Sequence, residues 1–321
     1  MSVLVFLEHH GSELLKGGLG VLSKAATLGD ADVAGVVLGS GVRELASAAG
    51  KFGASTVFVF DDDRLGVPLP QPRVDALAQL VRERGIESVL FPASVLAADV
   101  AAGLAARLDA GLNWDLVDIR REDGDLVGKR PALGDSVFVD VTWTRTPRLA
   151  LFRPGSFEAA ATGGEATIEH VSPQFDDFSF GARMVEQAHE ERSGPSIEDA
   201  DVVVAGGRGL GAPENFRLVE ELAQALGGAV AATRAVVDAG WYPYSAQVGQ
   251  TGRSVSPKLY IACGISGAIQ HKVGMQSSNV IVAINKDRNA PIFEYSDLGV
   301  VGDVHELVPK LTEFVRKRKG E

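Results

Sequence analysis

Two glycine-rich segments have the composition of loops that hold phosphate groups. The first covers residues 206–212, where Gly207, Gly209 and Ala212 fit the spacing G-x-G-x-x-G/A. It lies between a predicted strand and a predicted helix. Glycines at such a junction let the backbone approach a pyrophosphate, which the N-terminus of the following helix attracts. The pattern therefore indicates a site for a nucleotide cofactor.

The same glycines also suit a tight turn that needs positive φ angles. A dinucleotide fingerprint would carry an acidic residue about 20 positions later. None is clearly placed, although Asp238 is a possible substitute. Arg208 favours the binding interpretation, because a guanidinium inside a glycine turn has little structural purpose.

The second segment, Cys263-Gly-Ile-Ser-Gly-Ala268, follows a predicted strand and precedes a predicted helix. Glycines beside a serine at a strand end can form a nest of backbone N–H groups that holds an anion. Open α/β sheets bind ligands at the carboxyl ends of their strands. A plain turn accounts for the pattern equally well.

A polar stretch without periodicity runs from Trp241 to Ser254 between these two segments. Long ordered loops in compact domains are usually functional. Gln250, Thr251 and Arg253 could donate hydrogen bonds to the edge of a heterocycle, as could Ser254. The alternative is a solvated surface loop.

The remaining reactive side chains give no independent signal. His271 follows the second glycine segment, but a lone histidine is more often packed or solvated than functional. His9 and His10 lack the spacing of metal ligands, and Cys263 is interpreted as a small core residue. No Ser-His-Asp order, H-E-x-x-H or C-x-x-C is present.

Composition narrows the classes of protein. The 321 residues include 31 Lys+Arg and 42 Asp+Glu, a formal charge of −11, which disfavours nucleic acid and anionic membranes as partners. One cysteine excludes an intramolecular disulfide framework. There is no long apolar run, and no targeting peptide is visible at the N-terminus. A cytoplasmic protein of bacterial type is expected.

Strand-like and helix-like segments alternate through the first third of the chain, which predicts βαβ units and a parallel sheet. The predicted strands are 3–7, 33–38, 56–60 and 88–91, and the predicted helices are 14–28, 42–49, 71–84 and 97–108. Short strands without helices follow at 116–120, 126–131, 136–142 and 150–154, with Gly124 and Gly134 at turns. They indicate a short antiparallel or mixed extension of the first sheet.

A second α/β block begins near residue 201, after a polar acidic stretch interpreted as a linker. Its predicted strands are 202–205, 229–232, 259–263, 280–285 and 299–302, and its predicted helices are 213–226, 269–275 and 304–318. The sequence thus predicts an N-terminal α/β domain over 1–193 and a Rossmann-like domain over 194–321.

Specific segments of the second block go beyond this general pattern. They are Gln247-Val-Gly-Gln-Thr-Gly252, residues 257–271, Gly274-Met275, residues 281–287, Ala290-Pro-Ile-Phe293 and Gly299-Val-Val-Gly-Asp303. Together they resemble the alpha subunit of the electron transfer flavoprotein family. The first half is similar more weakly, at residues 3–9 and Arg153-Pro-Gly-Ser-Phe157.

The resemblance implies an electron carrier without substrate turnover of its own. In this family FAD binds non-covalently to the C-terminal domain, which swings on a base made by the N-terminal domain and a beta subunit. Electrons come from acyl-CoA dehydrogenases of fatty acid β-oxidation or from related flavoenzymes, and pass to a membrane quinone oxidoreductase. AMP is expected in the beta subunit, and no cofactor in the N-terminal domain.

The resemblance also assigns roles to residues. Arg208 and Arg234 lie at the flavin side, where Arg234 would stabilise the negative charge of the reduced ring. The 247–252 loop lines the flavin and ribityl chain, with the Thr251 hydroxyl near N5, and His271 lies near the pyrimidine carbonyl. The 264–268 loop holds the pyrophosphate, so the first glycine segment becomes a turn that presents Arg208. The expected cofactor residues are Arg208, Thr233, Arg234, Gln247, Val248, Gly249, Gln250, Thr251, Gly252, Gly264, Ser266, Gly267, Ala268, Gln270, His271, Asn285, Lys286 and Asp303, the last three at the adenosine end.

Other functions remain open at this level. A nicotinamide-dependent dehydrogenase with a Rossmann domain would use the first glycine segment. A non-redox adenylate-binding module would use the N-terminal sheet. Within the family, some members serve electron bifurcation with a second flavin in the beta subunit. Thr233, where the family commonly has Ser, keeps the hydroxyl.

Overall fold

A computed structural model describes residues 1–133, 135–186, 196–198 and 200–320. The chain divides into two compact units, Met1–Ala188 and His189–Glu321. The expected domain boundary at residues 193 and 194 lies outside the described residues, as does Gly134. No described helix is both long and apolar enough to cross a bilayer.

The N-terminal unit alternates strands and helices. Its elements are β1 (Ser2–Leu7), β2 (His9–His10), β3 (Glu13–Leu14), α1 (Lys16–Ala25), β4 (Asp32–Gly39), α2 (Ala46–Ala49), β5 (Thr56–Asp61), α3 (Pro70–Arg84), β6 (Ser88–Pro92), α4 (Val95–Leu108), β7 (Leu112–Leu116), β8 (Asp118–Glu122), β9 (Asp125–Ala132), β10 (Val137–Val141), β11 (Arg148–Phe152) and β12 (Thr167–His170).

A parallel sheet organises the described part of this unit, in the order β12-β5-β4-β1-β6-β11-β7. Its inner strands are buried on both faces, as β1 illustrates, whereas the edge strands β12 and β7 are more exposed. Leu4 and Phe6 belong to the core cluster that includes residues of α3 and α4, whereas Val3 and Val5 belong to the cluster that includes residues of α1. Burial on both sides explains why β1 is an unbroken apolar run.

The antiparallel strands form a sheet of their own, β10-β9-β8. Asp123 and Gly124 connect β8 to β9 with φ angles of 51° and 91°, the conformation of a two-residue hairpin turn of type I′. The last strand of this region, β11, instead pairs in parallel with β6 and β7 in the main sheet. The α/β class, with a parallel sheet and a short antiparallel part, is confirmed.

The C-terminal unit is also α/β. Its elements are β13 (Val202–Gly206), α5 (Phe216–Leu226), β14 (Ala229–Thr233), α6 (Arg234–Val237), β15 (Gln247–Val248), β16 (Leu259–Cys263), α7 (Ile269–Met275), β17 (Val280–Asn285), β18 (Leu298–Val301) and α8 (Val304–Lys319). All strand pairs are parallel, in the order β15-β14-β13-β16-β17-β18.

This order runs 3-2-1-4-5-6 in chain sequence, the order of doubly wound sheets. The direction of winding reverses between β13 and β16, so the helices that follow these two strands, α5 and α7, pack into different core clusters on opposite faces of the sheet. Ligands of open α/β sheets bind in the crevice that this reversal creates. The two glycine-rich segments are the loops that follow β13 and β16.

Helices α5 and α8 pack against each other and cover one side of this sheet. Helix α5 buries Phe216, Val219 and Leu222 and ends at Gly227, whose φ of 71° is the left-handed conformation of a helix C-terminus. Helix α8 begins at Asp303, whose carboxylate accepts a hydrogen bond from the backbone N–H of His305.

Candidate functional site

The carboxyl ends of the C-terminal strands enclose a cavity of about 750 Å³. Its walls come from the loops after β13, β14, β16 and β17, from the polar loop around β15 and from the start of α8. We call it the strand-end cleft. It lies at the reversal between β13 and β16, where a doubly wound sheet is expected to bind its ligand.

The two glycine loops are packed backbone against backbone in this cleft. The N–H of Gly207 donates to the carbonyl of Cys263 at 3.0 Å, and that of Gly209 to the carbonyl of Gly264 at 2.9 Å. A Cβ atom on Gly207 would lie 2.4 Å from the Gly264 carbonyl oxygen, and one on Gly209 would lie 2.7 Å from it. Both residues are therefore glycine because the loops touch. Of the first segment's glycines only Gly211 has a positive φ, 81°.

Several cations face the cleft with weak or no partners. Arg208 and Lys286 line it, are exposed, and have no ion-pair partner among the described residues. Arg234 pairs with Asp238 at 3.2 Å, but both side chains are 63% exposed, so the pair contributes little stability. Asp238, Asp287 and Asp303 also line the cleft, so what suits a ligand with anionic groups is the presence of cations without an ion-pair partner, not an excess of positive charge.

The polar loop is ordered by its own backbone. The N–H of Arg253 donates to the Gln247 carbonyl at 2.7 Å, and the N–H of Gly249 donates to the Arg253 carbonyl at 3.1 Å. Gln250 donates its N–H to the carbonyl of Gln270 on α7 at 2.7 Å. The loop is thus a fixed wall of the cleft. The Arg253 guanidinium pairs with Glu198 at 2.7 Å.

His271 is packed at the base of this wall. Its Nδ1 lies 3.0 Å from the Val248 carbonyl oxygen and its Nε2 lies 3.0 Å from the Tyr260 hydroxyl. A carbonyl only accepts, so Nδ1 carries the proton and Nε2 accepts from the tyrosine. Burial lowers the pKa of His271 to about 4, although the hydrogen bond to Val248 opposes this shift. The ring is neutral at physiological pH.

Asn285 and Asp303 brace the far end of the cleft. The Asn285 amide donates to the Ile265 carbonyl at 2.8 Å and accepts from the Asp287 N–H at 2.9 Å, which holds the second glycine loop in place. Asp303 caps α8. Both residues line the cleft while their side chains also shape its walls.

All the expected cofactor residues line the cleft except Gln247, Gly252 and Gly267. These three lie directly behind it: a Cβ on Gly252 would meet the Gln247 carbonyl oxygen at 2.3 Å, and one on Gly267 the Ile292 nitrogen at 2.3 Å. Asp287, Pro291 and His305 also line the cleft, although none of them was among the expected residues. Asp287 follows β17, whereas Pro291 begins a short 3₁₀ helix and His305 lies in the first turn of α8.

The other candidates, Cys263, His9 and His10, do not line the cleft. Burial raises the pKa of Cys263 to about 12, so its thiol stays protonated. His9 and His10 belong to the N-terminal unit. Within the described ranges, no cluster of three or more His, Cys, Asp or Glu side chains is arranged to hold a metal ion.

Comparison with known proteins gives matches to both units. Residues 3–176 match the electron transfer flavoprotein domain, and residues 196–276 match the electron transfer flavoprotein FAD-binding domain. A similar protein is the electron transfer flavoprotein subunit alpha of Thermoanaerobacterium thermosaccharolyticum, 36% identical over 99% of this chain and 98% of its own length.

Two further relatives agree. The electron transfer flavoprotein subunit alpha of Mycobacterium tuberculosis is 41% identical over 99% of each chain. The protein FixB of Clostridium saccharobutylicum is 38% identical over 96% of this chain and 94% of its own. The chain therefore belongs to the electron transfer flavoprotein family, as an alpha-subunit member.

Proposed function

We propose that this chain carries FAD in the strand-end cleft and works as the alpha subunit of a heterodimeric electron carrier. The observation that carries the proposal is the cleft itself. It unites two closely packed glycine loops, free cations and an ordered polar loop at the reversal point of a parallel sheet. It also lies largely within the segment that matches an FAD-binding domain.

The residues present fit this cofactor. A cavity of about 750 Å³ is of the size that holds organic ligands and cofactors. Gly207, Gly209 and Gly264 leave no Cβ between the loops, which keeps backbone groups close to the cleft. Arg208 and Lys286, which have no ion-pair partner among the described residues, supply positive charge at the flavin side and at the adenosine end, respectively.

Bound FAD supplies the redox chemistry, and the protein supplies binding, orientation and electrostatics. Arg234 places a positive charge at the flavin side, which favours negative charge on the ring. The Thr251 hydroxyl is placed to donate to the ring edge. The 264–268 loop takes the pyrophosphate, and Lys286 the adenosine end.

A nicotinamide-dependent dehydrogenase is less well supported. In NAD-binding sheets an acidic residue at the end of the second strand holds the ribose hydroxyls. Here β14 ends at Thr233 and is followed by Arg234. Asp238 lies one turn later and pairs with Arg234.

Membership of the family supports the partners that we propose. We propose a beta subunit that holds AMP and contacts a scaffold over residues 1–193, with the FAD domain over 194–321. Donors are acyl-CoA dehydrogenases or related flavoenzymes, and the acceptor is a membrane quinone oxidoreductase; the setting is cytoplasmic. A bifurcating type differs by a second flavin in the beta subunit.

The test uses the chain co-expressed with an electron transfer flavoprotein beta subunit from the same organism. The purified complex is mixed anaerobically with an acyl-CoA dehydrogenase and its substrate, and the flavin absorbance of the complex is followed. We expect a rapid loss of the flavin absorbance of the complex that occurs only when the dehydrogenase is present. Oxidation of NADH with a small substrate, without bound flavin, would contradict it. Two flavins per heterodimer would indicate the bifurcating type.

A further inference from the structure

Gln247 belongs to the polar loop but does not line the cleft. The residue is only 2% exposed, and its side-chain Nε2 donates to the Thr251 hydroxyl oxygen at 3.1 Å. Thr251 itself is exposed and lines the cleft. The buried amide of Gln247 thus contacts the one hydroxyl of this loop that lines the cleft, that of Thr251.

The direction of this hydrogen bond determines what Thr251 offers to the cleft. A threonine hydroxyl has one proton to donate and two lone pairs that accept. Because the Gln247 amide donates to the oxygen, the hydroxyl proton is not used in this contact. It remains for an acceptor on the other side, which is the cleft.

The backbone at Thr251 is held as well. The hydroxyl of Tyr244 donates to the Thr251 carbonyl at 2.8 Å. The Gln247 carbonyl accepts from the N–H of Arg253 at 2.7 Å, and Gly252 packs directly on that carbonyl. The backbones of residues 247 and 251 are therefore held in place relative to each other.

We propose that Gln247 is a positioning residue: by donating to Thr251 it keeps the hydroxyl proton directed at an acceptor atom of the bound flavin. The inference rests on the proposed function and adds to it a residue that does not itself line the cleft. Gln247 acts only through Thr251, which is the property that an experiment can isolate.

The experiment is a double-mutant cycle on the FAD-loaded complex, with Gln247→Met, Thr251→Val and the double variant. The readouts are the dissociation constant of FAD and the flavin midpoint potential. Loss of one hydrogen bond of ~1 kcal/mol weakens FAD binding about fivefold for each single variant. In the Thr251→Val background, Gln247→Met is expected to change binding by less than about twofold. Thr251→Ser, which keeps the hydroxyl, should restore the potential.

A second variant tests the direction of the hydrogen bond between residues 247 and 251 rather than its presence. In Gln247→Glu, measured at a pH high enough to ionise the new carboxyl group, the carboxylate can only accept, so it takes the Thr251 proton away from the cleft. The midpoint potential should then shift more than in Gln247→Met, and most of the difference should depend on Thr251. The same substitution in the Thr251→Val background measures the effect of the added charge alone.

Equal effects of Gln247→Met with and without the Thr251 hydroxyl would overturn the inference, because they would show a packing role only. That result in flavin-loaded protein leaves the proposed function intact. Absence of flavin from the unaltered complex would overturn the proposed function and this inference with it.

Discussion

Arg234 Nε lies 3.2 Å from the carboxylate of Asp238, four residues later, at the edge of the strand-end cleft. Both side chains are 63% exposed, so solvent screens the pair and the guanidinium keeps most of its charge for a ligand. The pair therefore offers two opposite charges at the proposed flavin side. Each can be removed without disturbing a buried contact.

Removing the Arg234 charge should lower the flavin midpoint potential while most FAD stays bound. A unit charge about 4 Å from the ring contributes about 1 to 4 kcal/mol, which corresponds to about 20 to 90 mV for a two-electron couple. Redox titration of Arg234→Ala measures this. Asp238→Asn should raise the potential, because it removes the neighbouring negative charge.

The matched control for Arg234 is Arg217→Ala. Arg217 forms the same kind of exposed pair, with Glu221 at 3.4 Å on α5, and does not line the cleft. An unchanged potential in Arg234→Ala, or an equal shift in Arg217→Ala, would contradict the role given to Arg234.

The packing of the glycine loops predicts that Gly207→Ala destabilises the C-terminal unit. The new Cβ would lie 2.4 Å from the Gly264 carbonyl oxygen, so the loops must separate. Overpacking of this kind costs about 1 to 3 kcal/mol, measured by urea unfolding, and FAD affinity should fall with it. Gly111→Ala is the control, because a Cβ there would meet the Trp143 side chain at an ordinary contact distance of 3.6 Å. Equal stability of the two variants would refute the packing role.

The pKa of His271 predicts a loss of stability in acid. Its ordinary value is 6.5, and burial lowers the pKa to about 4 in the folded chain. Between pH 6.5 and pH 4 the unfolded chain binds a proton at this ring that the folded chain does not, so unfolding becomes more favourable as the pH falls. The contribution reaches at most ~3 kcal/mol. Thermal unfolding across this range should show a shallower pH slope for His271→Gln; an identical slope would contradict the buried neutral ring.

Cys263 should be unreactive in the folded protein. It is fully buried, and burial raises the pKa of its thiol to about 12. The nucleophile in labelling is the thiolate, which is then scarce at neutral pH. A thiol reagent should therefore label the single cysteine only in denaturant. Fast stoichiometric labelling of the folded chain would show the assignment to be wrong.

Much of the fold follows from local pattern. Strands such as β1 and β16 are continuous apolar runs that parallel burial requires, and their bounds were predicted to within a residue. Pairing in space was harder to predict. The segment that became β11 was grouped with the antiparallel strands, but long-range pairing places it between β6 and β7. The two-residue strand β15 has no periodicity to detect.

The parts of the site that have a distinctive composition could be predicted from the sequence. The parts that depend on contacts between distant residues could not. The two glycine segments and the polar loop were found from residue types alone. The reason for glycine at Gly207 is the approach of Gly264, 57 positions later, which no local pattern contains. His271 in α7 likewise has hydrogen-bond partners in two strands, Val248 in β15 and Tyr260 in β16.

Binding of FAD in the strand-end cleft is tested by the visible spectrum of the complex purified with its beta subunit. We expect a yellow protein that releases FAD on denaturation, with one FAD for each copy of this chain. We also expect Gly207→Ala to lower this occupancy and Gly111→Ala to leave it unchanged. A colourless complex that fails to take up added FAD would show that the cleft does not hold FAD.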